Sequence, residues 1–409
     1  MDFSHSPKAQ DLLGRLQAFV AEHVEPVERE VFAAMTGEPV WEELPQMAAL
    51  KAEAKRQGLW NLFLPPVSGL TNVEYAPLAE VMGRHHLAAE ATNCSAPDTG
   101  NMEVLHHFGT PEQKGRWLRP LLDGEIRSAF CMTEPDVASS DATNMQATAV
   151  VDGDEVVVNG TKWWSTGVGH PACELLVFMG LSDPTAHRHQ QHSMVLVPRS
   201  TPGVTVERML QTMGWWDAPS GHGQVRFDDV RVPVENVIGG VGGAFAVAQG
   251  RLGPGRVHHC MRAVGLAERV LEMACERAVS REAFGKPIAN LGGNRERLAD
   301  ARMAIDQARL LVLHAAWLLD TEGLAGALSA VSAIKVVVPN VLQSVVDLAI
   351  QLHGGAGLSQ DVPLGPAWTV ARALRLADGP DEVHRGVVAR LLLAPYVQAA
   401  KDAKESAAT

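Results

Sequence analysis

The sequence predicts an α+β protein: an N-terminal helical domain, a central antiparallel β-domain and a C-terminal helical bundle. Hydrophobic residues recur at helical spacing in LLGRLQAFVAEHVEPV and from Trp41 to Gln57, where residues three and four apart share one face. From about Glu125 the period falls to two, and QATAVVDGDEVVVNGTKWWS alternates apolar with polar residues, as half-buried strands do. After Gly239-Gly240 the helical period returns in long segments rich in Ala, Leu and Val, whose small side chains suit close helix packing. The expected boundaries are 1–124, 125–238 and 239–409.

Each zone has its own punctuation. The first is broken at GEPV, LPPVSGL and Pro120 to Gly124, where Gly and Pro end helices. In the second, Asp152-Gly153 and Asn159-Gly160 read as tight turns between strands, and ELLVFMGL, HSMVLVPR, GVTVERM and GQVRFDDVRVP read as further strands. The third holds three helical lengths, GAFAVAQGRLGPGRVHHCMRAVGLAERVLEMACERAV, RERLADARMAIDQARLLVLHAAWLLD and GALSAVSAIKVVVPNVLQSVVDLAIQLHG.

Composition narrows the function. The chain has 409 residues, 46% hydrophobic and 20% charged, the balance of a globular protein with a sizeable core. Forty-seven acidic against 35 basic residues leave a formal charge of −12, which argues against nucleic acid or an anionic membrane as the main partner. Five cysteines (Cys94, Cys131, Cys173, Cys260 and Cys275) form no CxxC pair, so reduced, mostly buried thiols are expected, with no disulfide framework or zinc site. HRHQQH, His187 to His192, has no carboxylate or cysteine at ligand spacing and reads as a solvated loop, so no metal is expected. The start MDFSHSPKAQDLLGRL lacks a basic, apolar leader, and no stretch of about 18 apolar residues stands out to span a bilayer. A cytoplasmic protein is the expectation.

Five strings carry chemistry or its appearance. AFCMTEPDVASSDATNM, Ala129 to Met145, leaves a strand and enters a loop dense in Thr, Ser and Asp; such a loop presents N–H groups and hydroxyls to a polar ring or phosphate, or is an ordinary polar loop. TKWWSTG, Thr161 to Gly167, pairs two Trp beside hydroxyls and suits the wall of a planar cofactor or plain core. SREAFGKPI places Arg281 before Phe284-Gly285 at a helix end, and QLHGGAG offers a bare backbone that approaches a pyrophosphate or caps a helix. In RALRLADGPDEVHRGVVAR, Asp378 precedes Gly379-Pro380 and a helix opening near Asp381, the position of a cap or of a catalytic carboxylate.

Taken in order, TEPDVASSD, KWWSTG, FDDVRVPVENVIG, SREAFGKPI, QLHGGAG and LADGPDEVHR resemble the acyl-CoA dehydrogenase family over nearly the whole chain. The aspartate in LADGPDEVHR and the TEPDVASSDATN string are most similar to family members ten and eleven and their bacterial relatives. The resemblance implies a helical domain, a β-domain and a four-helix bundle, assembled as a homo-oligomer, most often a dimer of dimers, around FAD. It implies that Phe130, Met132, Thr133, Ser139 and Ser140 border the flavin, with Trp164, Ser165 and Thr166 covering another side. Arg281, Phe284, Gln351, Leu352, His353, Gly354 and Gly355 match residues that reach a neighbouring subunit's FAD, where a guanidinium suits the diphosphate. Pro380 and Glu382 fall beside the cofactor by the same match, and Ser140, Arg256 and Gly379 beside the substrate.

The implied reaction is α,β-dehydrogenation of an acyl-CoA thioester, with Asp378 as α-proton base, hydride transfer to the flavin and electrons passing to an electron-transferring flavoprotein. The commoner family pattern is glutamate-glycine-threonine, whereas this chain has Asp378-Gly379-Pro380. Aspartate is shorter by one methylene, roughly 1.5 Å of reach. A second family location for the base corresponds to Gly255, which has no carboxylate. Two other readings share these residues: a flavin oxidase of acyl-CoA-oxidase or nitroalkane-oxidase type, and a flavin-free interaction scaffold.

Overall fold

The computed structural model describes residues 3–36 and 38–408, so the outermost ends of the two helical zones, at residues 1 and 409, lie outside the described residues. Helices come first: α1 (Pro7–Phe19) runs through a π-helical turn into α2 (Glu25–Thr36), followed by α3 (Pro45–Arg56), α4 (Pro65–Ser68), α5 (Asn72–Gly83), α6 (Ala88–Ala91), α7 (Asp98–Phe108), α8 (Pro111–Gln113) and α9 (Arg119–Asp123). Their starts are written locally. Ser6 caps α1, its Oγ accepting the Ala9 N–H at 3.3 Å, with Pro7 as the first helical residue. Thr71 and Glu74 form a reciprocal capping box at α5, and Glu74 also accepts the Ser6 N–H at 3.3 Å, so one carboxylate joins the starts of two helices.

The β-domain comprises β1 (Arg127–Cys131), β2 (Thr148–Asp152), β3 (Glu155–Thr166), β4 (Cys173–Leu181), β5 (His192–Pro198), β6 (Val204–Leu210), β7 (His222–Pro233) and β8 (Val237–Ile238). They form one sheet in the order β6-β7-β3-β2-β4-β5-β8, with β1 added beside β4. Most pairings are antiparallel, as the alternating pattern predicts. β1 and β4, however, run parallel, and β2 meets β4 in parallel at Thr148 and Leu181. Parallel partners need a crossover connection, and the β2–β3 hairpin between β1 and β4 supplies it.

One expected turn is absent from this sheet. Asp152-Gly153 does turn β2 into β3, with Gly153 at φ +66°. Asn159-Gly160 lies inside β3 instead, where the pairing with β7 shifts register at Gly160. Gly160 has φ +131°, and a Cβ there would stand 2.5 Å from the Cβ of Ala147. The glycine therefore serves a bulge and a close chain crossing, a use that the Asn-Gly dipeptide shares with turns.

The C-terminal zone begins with α10 (Ala244–Ser280), passes through a small hairpin of β9 (Glu282–Ala283) and β10 (Lys286–Pro287), and continues as α11 (Asn294–His353), α12 (Leu364–Leu374) and α13 (Asp381–Ala408). α11 is two arms, because Gly323 breaks it at φ +69°, ψ −174°. Residues of both arms, from Arg297 to Ala304 and from Asn340 to Gln351, line one groove, so the second arm folds back along the first. α10, the two arms and α13 are the four long members of the bundle. α11 also contains an 18-residue window of mean hydropathy 1.6, so the expectation that no span-length apolar stretch exists does not hold. Of that window 39% is buried, and Ile305, Val312, Ile334 and Leu342 of this helix lie in the core.

The core divides accordingly. One cluster is continuous from α1 through α5 and α7 into the bundle, and a second fills the sheet around Phe178 and Phe227, whose rings meet edge to face at 4.8 Å. The tightest joint between domains is the crossing of α5 on α10. A Cβ on Gly265 would overlap the backbone carbonyl of Glu80, and one on Gly83 would overlap the backbone of Arg262. Two backbones approach that closely only where both helices lack side chains. Gly265→Ala is thus expected to cost at least about 2 kcal/mol by overpacking, seen as a fall in thermal midpoint, whereas Gly14→Ala, which meets nothing within 4 Å, is expected to leave the midpoint unchanged or raise it.

Candidate active site

The segment between α12 and α13 is fixed at both ends before it presents anything. Lys335, buried on the second arm of α11, donates to the Leu374 carbonyl at 2.5 Å, capping α12 with a cation. Burial lowers the Lys335 pKa, while neighbouring Cys260 and Asp378 oppose the shift. Asp381, at the start of α13, accepts from Arg375 at 2.9 Å and from Asn340 at 3.1 Å. Six residues are thereby closed into a loop, and Asp378 stands in it.

Asp378 has φ +54°, a conformation that aspartate tolerates better than most side chains because its short polar group bonds locally. Its backbone carbonyl accepts two hydrogen bonds, from Arg256 Nε at 3.0 Å and from His384 Nε2 at 3.2 Å. A carbonyl cannot donate, so His384 carries its proton on Nε2. Gly379 follows at φ +105°, and a Cβ there would lie 2.9 Å from His384 Nε2. The Asp378 carboxylate turns the other way, with Oδ2 3.3 Å from His259 Nε2, and both side chains remain about a fifth to a quarter exposed, at 22% and 24%.

Arg256, His259 and Arg262 recur every third residue on α10 and so share a face. The resemblance implied Arg256 as a substrate-side charge. Its Nε holds the Asp378 backbone carbonyl, so its nearest role is to orient the loop. Arg262 Nη2 lies 3.3 Å from His259 Nδ1, and Nη1 donates to the Cys94 carbonyl at 3.1 Å. His258, the residue before His259, points into the core between Tyr75 and Phe63, its ring centroid 5.0 and 6.2 Å from theirs. Burial takes its pKa down to about 3.

A second group assembles where β1 leaves the sheet. Phe130, Met132 and Thr133 are half-buried, and the Thr133 carbonyl accepts the Trp163 N–H at 2.9 Å, laying the loop along β3. Beneath them Lys162, fully buried, donates to Glu134 at 2.7 Å and to the Met132 carbonyl at 2.9 Å. Glu134 also takes the N–H groups of Gln146 and Ala147. One buried ion pair therefore clamps both ends of the loop. Ser139 is spent within it, its Oγ accepting the Glu134 N–H at 2.9 Å, while Ser140 is exposed. On β3, Trp164 is 39% exposed, Ser165 is buried, and the Thr166 hydroxyl lies 2.9 Å from His222 Nδ1.

Family models for the acyl-CoA dehydrogenase N-terminal, middle and C-terminal domains match residues 6–125, 129–230 and 242–393. FadE2 of Mycobacterium tuberculosis is 51% identical over 393 residues, covering 95% of this chain and 96% of that protein. The chain belongs to the acyl-CoA dehydrogenase family. Acyl-CoA dehydrogenase family member 11 of Rattus norvegicus is 50% identical over 397 residues, 96% of this chain and 51% of that protein. The chain thus spans about half the length of that relative. The solved structure of a putative acyl-CoA dehydrogenase from Mycobacterium abscessus superposes with a TM-score of 0.94 at 64% identity and covers 96% of this chain and all of that one.

The third group lies at the far end of the bundle. Arg281 caps α10, and Phe284 at the hairpin tip is 94% exposed at φ +52°. The last turn of α10 reaches the end of α11, where Arg277 Nη2 comes within 3.5 Å of the His353 carbonyl. Gln351, Gly354 and Gly355 are exposed there, whereas Leu352 and His353 turn inward, His353 Nδ1 lying 2.8 Å from the Ala349 carbonyl. Pro380 is half-buried; Glu382 is exposed and stands 3.9 Å from Arg385. Sequence reasoning missed His259, His384, Lys335 and the Glu134–Lys162 pair. The three-residue spacing of Arg256, His259 and Arg262 was the one available signal.

Buried histidines give the fold a pH dependence of known sign. Burial first, then nearby cations, lowers the pKa of His384 to about 4 and that of His170 to about 4. In the unfolded chain both would titrate near 6.5, so below that pH the unfolded state binds more protons. Stability is then fully present above about pH 6.5 and falls as the pH drops toward 4, by roughly 2–3 kcal/mol per histidine at most. Thermal unfolding followed from pH 8 to 5 should show this decline, with a shallower slope in His170→Gln.

Proposed function

We propose that this chain binds FAD and dehydrogenates an acyl-CoA thioester to the trans-2-enoyl-CoA, with Asp378 removing the α-proton. The observation that carries the reading is the Asp378 loop: its carboxylate is accessible, its backbone carbonyl takes two hydrogen bonds, and cationic side chains anchor the loop beneath it. A base must be held within reach of the proton it takes, and a rigid loop does that better than a mobile one.

The residues of the second group fit a flavin. Trp163 Nε1 is buried without an acceptor among the described residues, Trp164 offers an exposed ring, and Thr133 and Thr166 bring hydroxyls. Such a wall, mostly aromatic with a few placed polar atoms, suits a planar ring with polar edges. Phe130, Met132, Thr133 and Trp164 to Thr166 would hold FAD, which when bound supplies the two-electron acceptor for the β-hydrogen. Asp378 holds the α-proton on its carboxyl while Arg256, His384 and Lys335 keep its loop in place. The α-proton of a thioester is a weak acid, so N–H donors must also polarise the carbonyl.

The reduced cofactor needs an acceptor, and an electron-transferring flavoprotein is the partner we propose. A homo-oligomer is proposed on surface evidence. Phe284 and Leu358 are 94% and 82% exposed, Leu392 and Tyr396 on α13 are 65% and 69% exposed, and the groove between the α11 arms, about 830 Å³, is lined by Val341, Val345 and Leu348. Exposed apolar area of this kind usually meets a partner, and Arg281 with Gln351 to Gly355 would complete a neighbouring subunit's cofactor site.

Asp378→Asn tests the base. It keeps size and most hydrogen bonding but removes the charge, so FAD content and acyl-CoA affinity are expected to persist while anaerobic bleaching of the flavin by acyl-CoA slows by roughly three orders of magnitude or more. Bleaching at wild-type speed with FAD bound would discard the assignment. Rapid reoxidation of the bleached enzyme by air would favour the oxidase reading over transfer to a flavoprotein.

A further inference from the structure

We infer that His259 is a positioning residue for Asp378: a neutral imidazole, locked in one tautomer by Arg262, that donates its Nε2 proton to Oδ2 of the base. This rests on the reading of Asp378 as the base and adds what holds its carboxylate. The geometry is a chain of three side chains, Arg262 Nη2 to His259 Nδ1 at 3.3 Å and His259 Nε2 to Asp378 Oδ2 at 3.3 Å.

The tautomer follows from donor and acceptor chemistry. A guanidinium has only donors and stays protonated at any relevant pH. The histidine nitrogen facing it must therefore be an acceptor, which leaves Nδ1 bare and puts the ring proton on Nε2. That nitrogen faces a carboxylate, an acceptor when ionised. Both contacts are satisfied by neutral imidazole alone; imidazolium would turn an N–H toward Arg262. Burial lowers the His259 pKa and Arg262 and Lys335 add to the shift, while the hydrogen bond and charge of Asp378 oppose it.

Two consequences bear on mechanism. The donated hydrogen bond to Oδ2 keeps the carboxylate that takes the α-proton from rotating freely about its last bond. His259 also cannot relay that proton, because Nε2 is already protonated and Nδ1 is covered by Arg262. Among the described residues, the other charged and titratable groups near this carboxylate are Arg256 and Cys260 from α10, Lys335 from α11 and His384 from the start of α13.

Three variants and one spectrum test the inference on the FAD-loaded protein. A hydrogen bond to the ionised carboxylate favours that form. His259→Leu should then move the acid limb of anaerobic flavin reduction to higher pH by about one unit, slowing reduction roughly tenfold or more near pH 6 and by only a few-fold near pH 9. FAD content and acyl-CoA affinity should be unchanged. His259→Gln, whose amide donates from a similar position, should recover most of the wild-type profile; a purely packing role would favour Leu instead. Nitrogen-15 histidine spectra should give His259 as the Nε2–H tautomer with Nδ1 bare, and Arg262→Gln should mix the tautomers. A wild-type acid limb in His259→Leu, or a protonated Nδ1 in the spectrum, overturns the inference while Asp378→Asn remains inactive. Activity in Asp378→Asn overturns the base assignment and this inference together.

Discussion

The backbone crossing of α5 and α10 at Gly83 and Gly265 is the constraint from which the rest of the site takes its position. α10 spans Ala244–Ser280, long enough to touch the N-terminal helices with one face and the bundle with another. Pinning it against α5 sets the rotation of the helix about its own axis. That rotation decides that His258 enters the core beside Tyr75 while His259, one residue on, turns to Asp378. A wider crossing would free α10 to roll, and a roll of one residue exchanges these two histidines. The glycines carry no chemistry, yet they assign it.

The β-domain is tied to this frame by buried charge. Arg127 on β1 pairs with Asp98 at 3.2 Å and with Glu90, while Asp98 accepts the Ser128 N–H at 2.7 Å, so α7 and β1 are joined side chain to backbone. Further along the strand, Lys162 and Glu134 close the loop that begins at Met132. Each ion costs several kcal/mol to bury, and such pairs add little net stability compared with apolar packing. What they add here is geometry. Every acceptor of the pair is committed to a particular backbone N–H or amine, leaving the loop one arrangement.

Periodicity made the three-zone order legible, because burial on one face writes itself into the sequence at period 3.6 or 2. The parallel pairing of β1 with β4 was not legible, since strand order depends on contacts distant in sequence. Asn159-Gly160 misled because positive φ serves a turn and a bulge equally. The location of Asp378 was visible from Gly379-Pro380 and the acidic helix start, whereas its companions were not. Lys335 comes from another helix, and its partner is a backbone carbonyl, which leaves no trace in residue identity. His259 was hidden by His258, for an adjacent pair reads as one feature until the helix is rotated into place.

The same geometry bears on why aspartate serves where the commoner family pattern has glutamate. Residue 378 sits in the left-handed region, where a non-glycine residue costs of order 1–3 kcal/mol and persists only if its surroundings over-determine it. Arg256 and His384 on its carbonyl, and the Arg375–Asp381 closure, do so. Aspartate enters that region more readily than glutamate, because its carboxylate is close enough to the backbone to compensate locally. Its shorter stem also leaves one fewer bond to order, so a single N–H from His259 suffices to orient the group. A glutamate on this backbone would carry its carboxylate past His259 Nε2 by one methylene, exchanging a fixed short carboxylate for a longer one held less firmly. The loop, the histidine and the short side chain therefore form one solution, in which reach is given up for orientation.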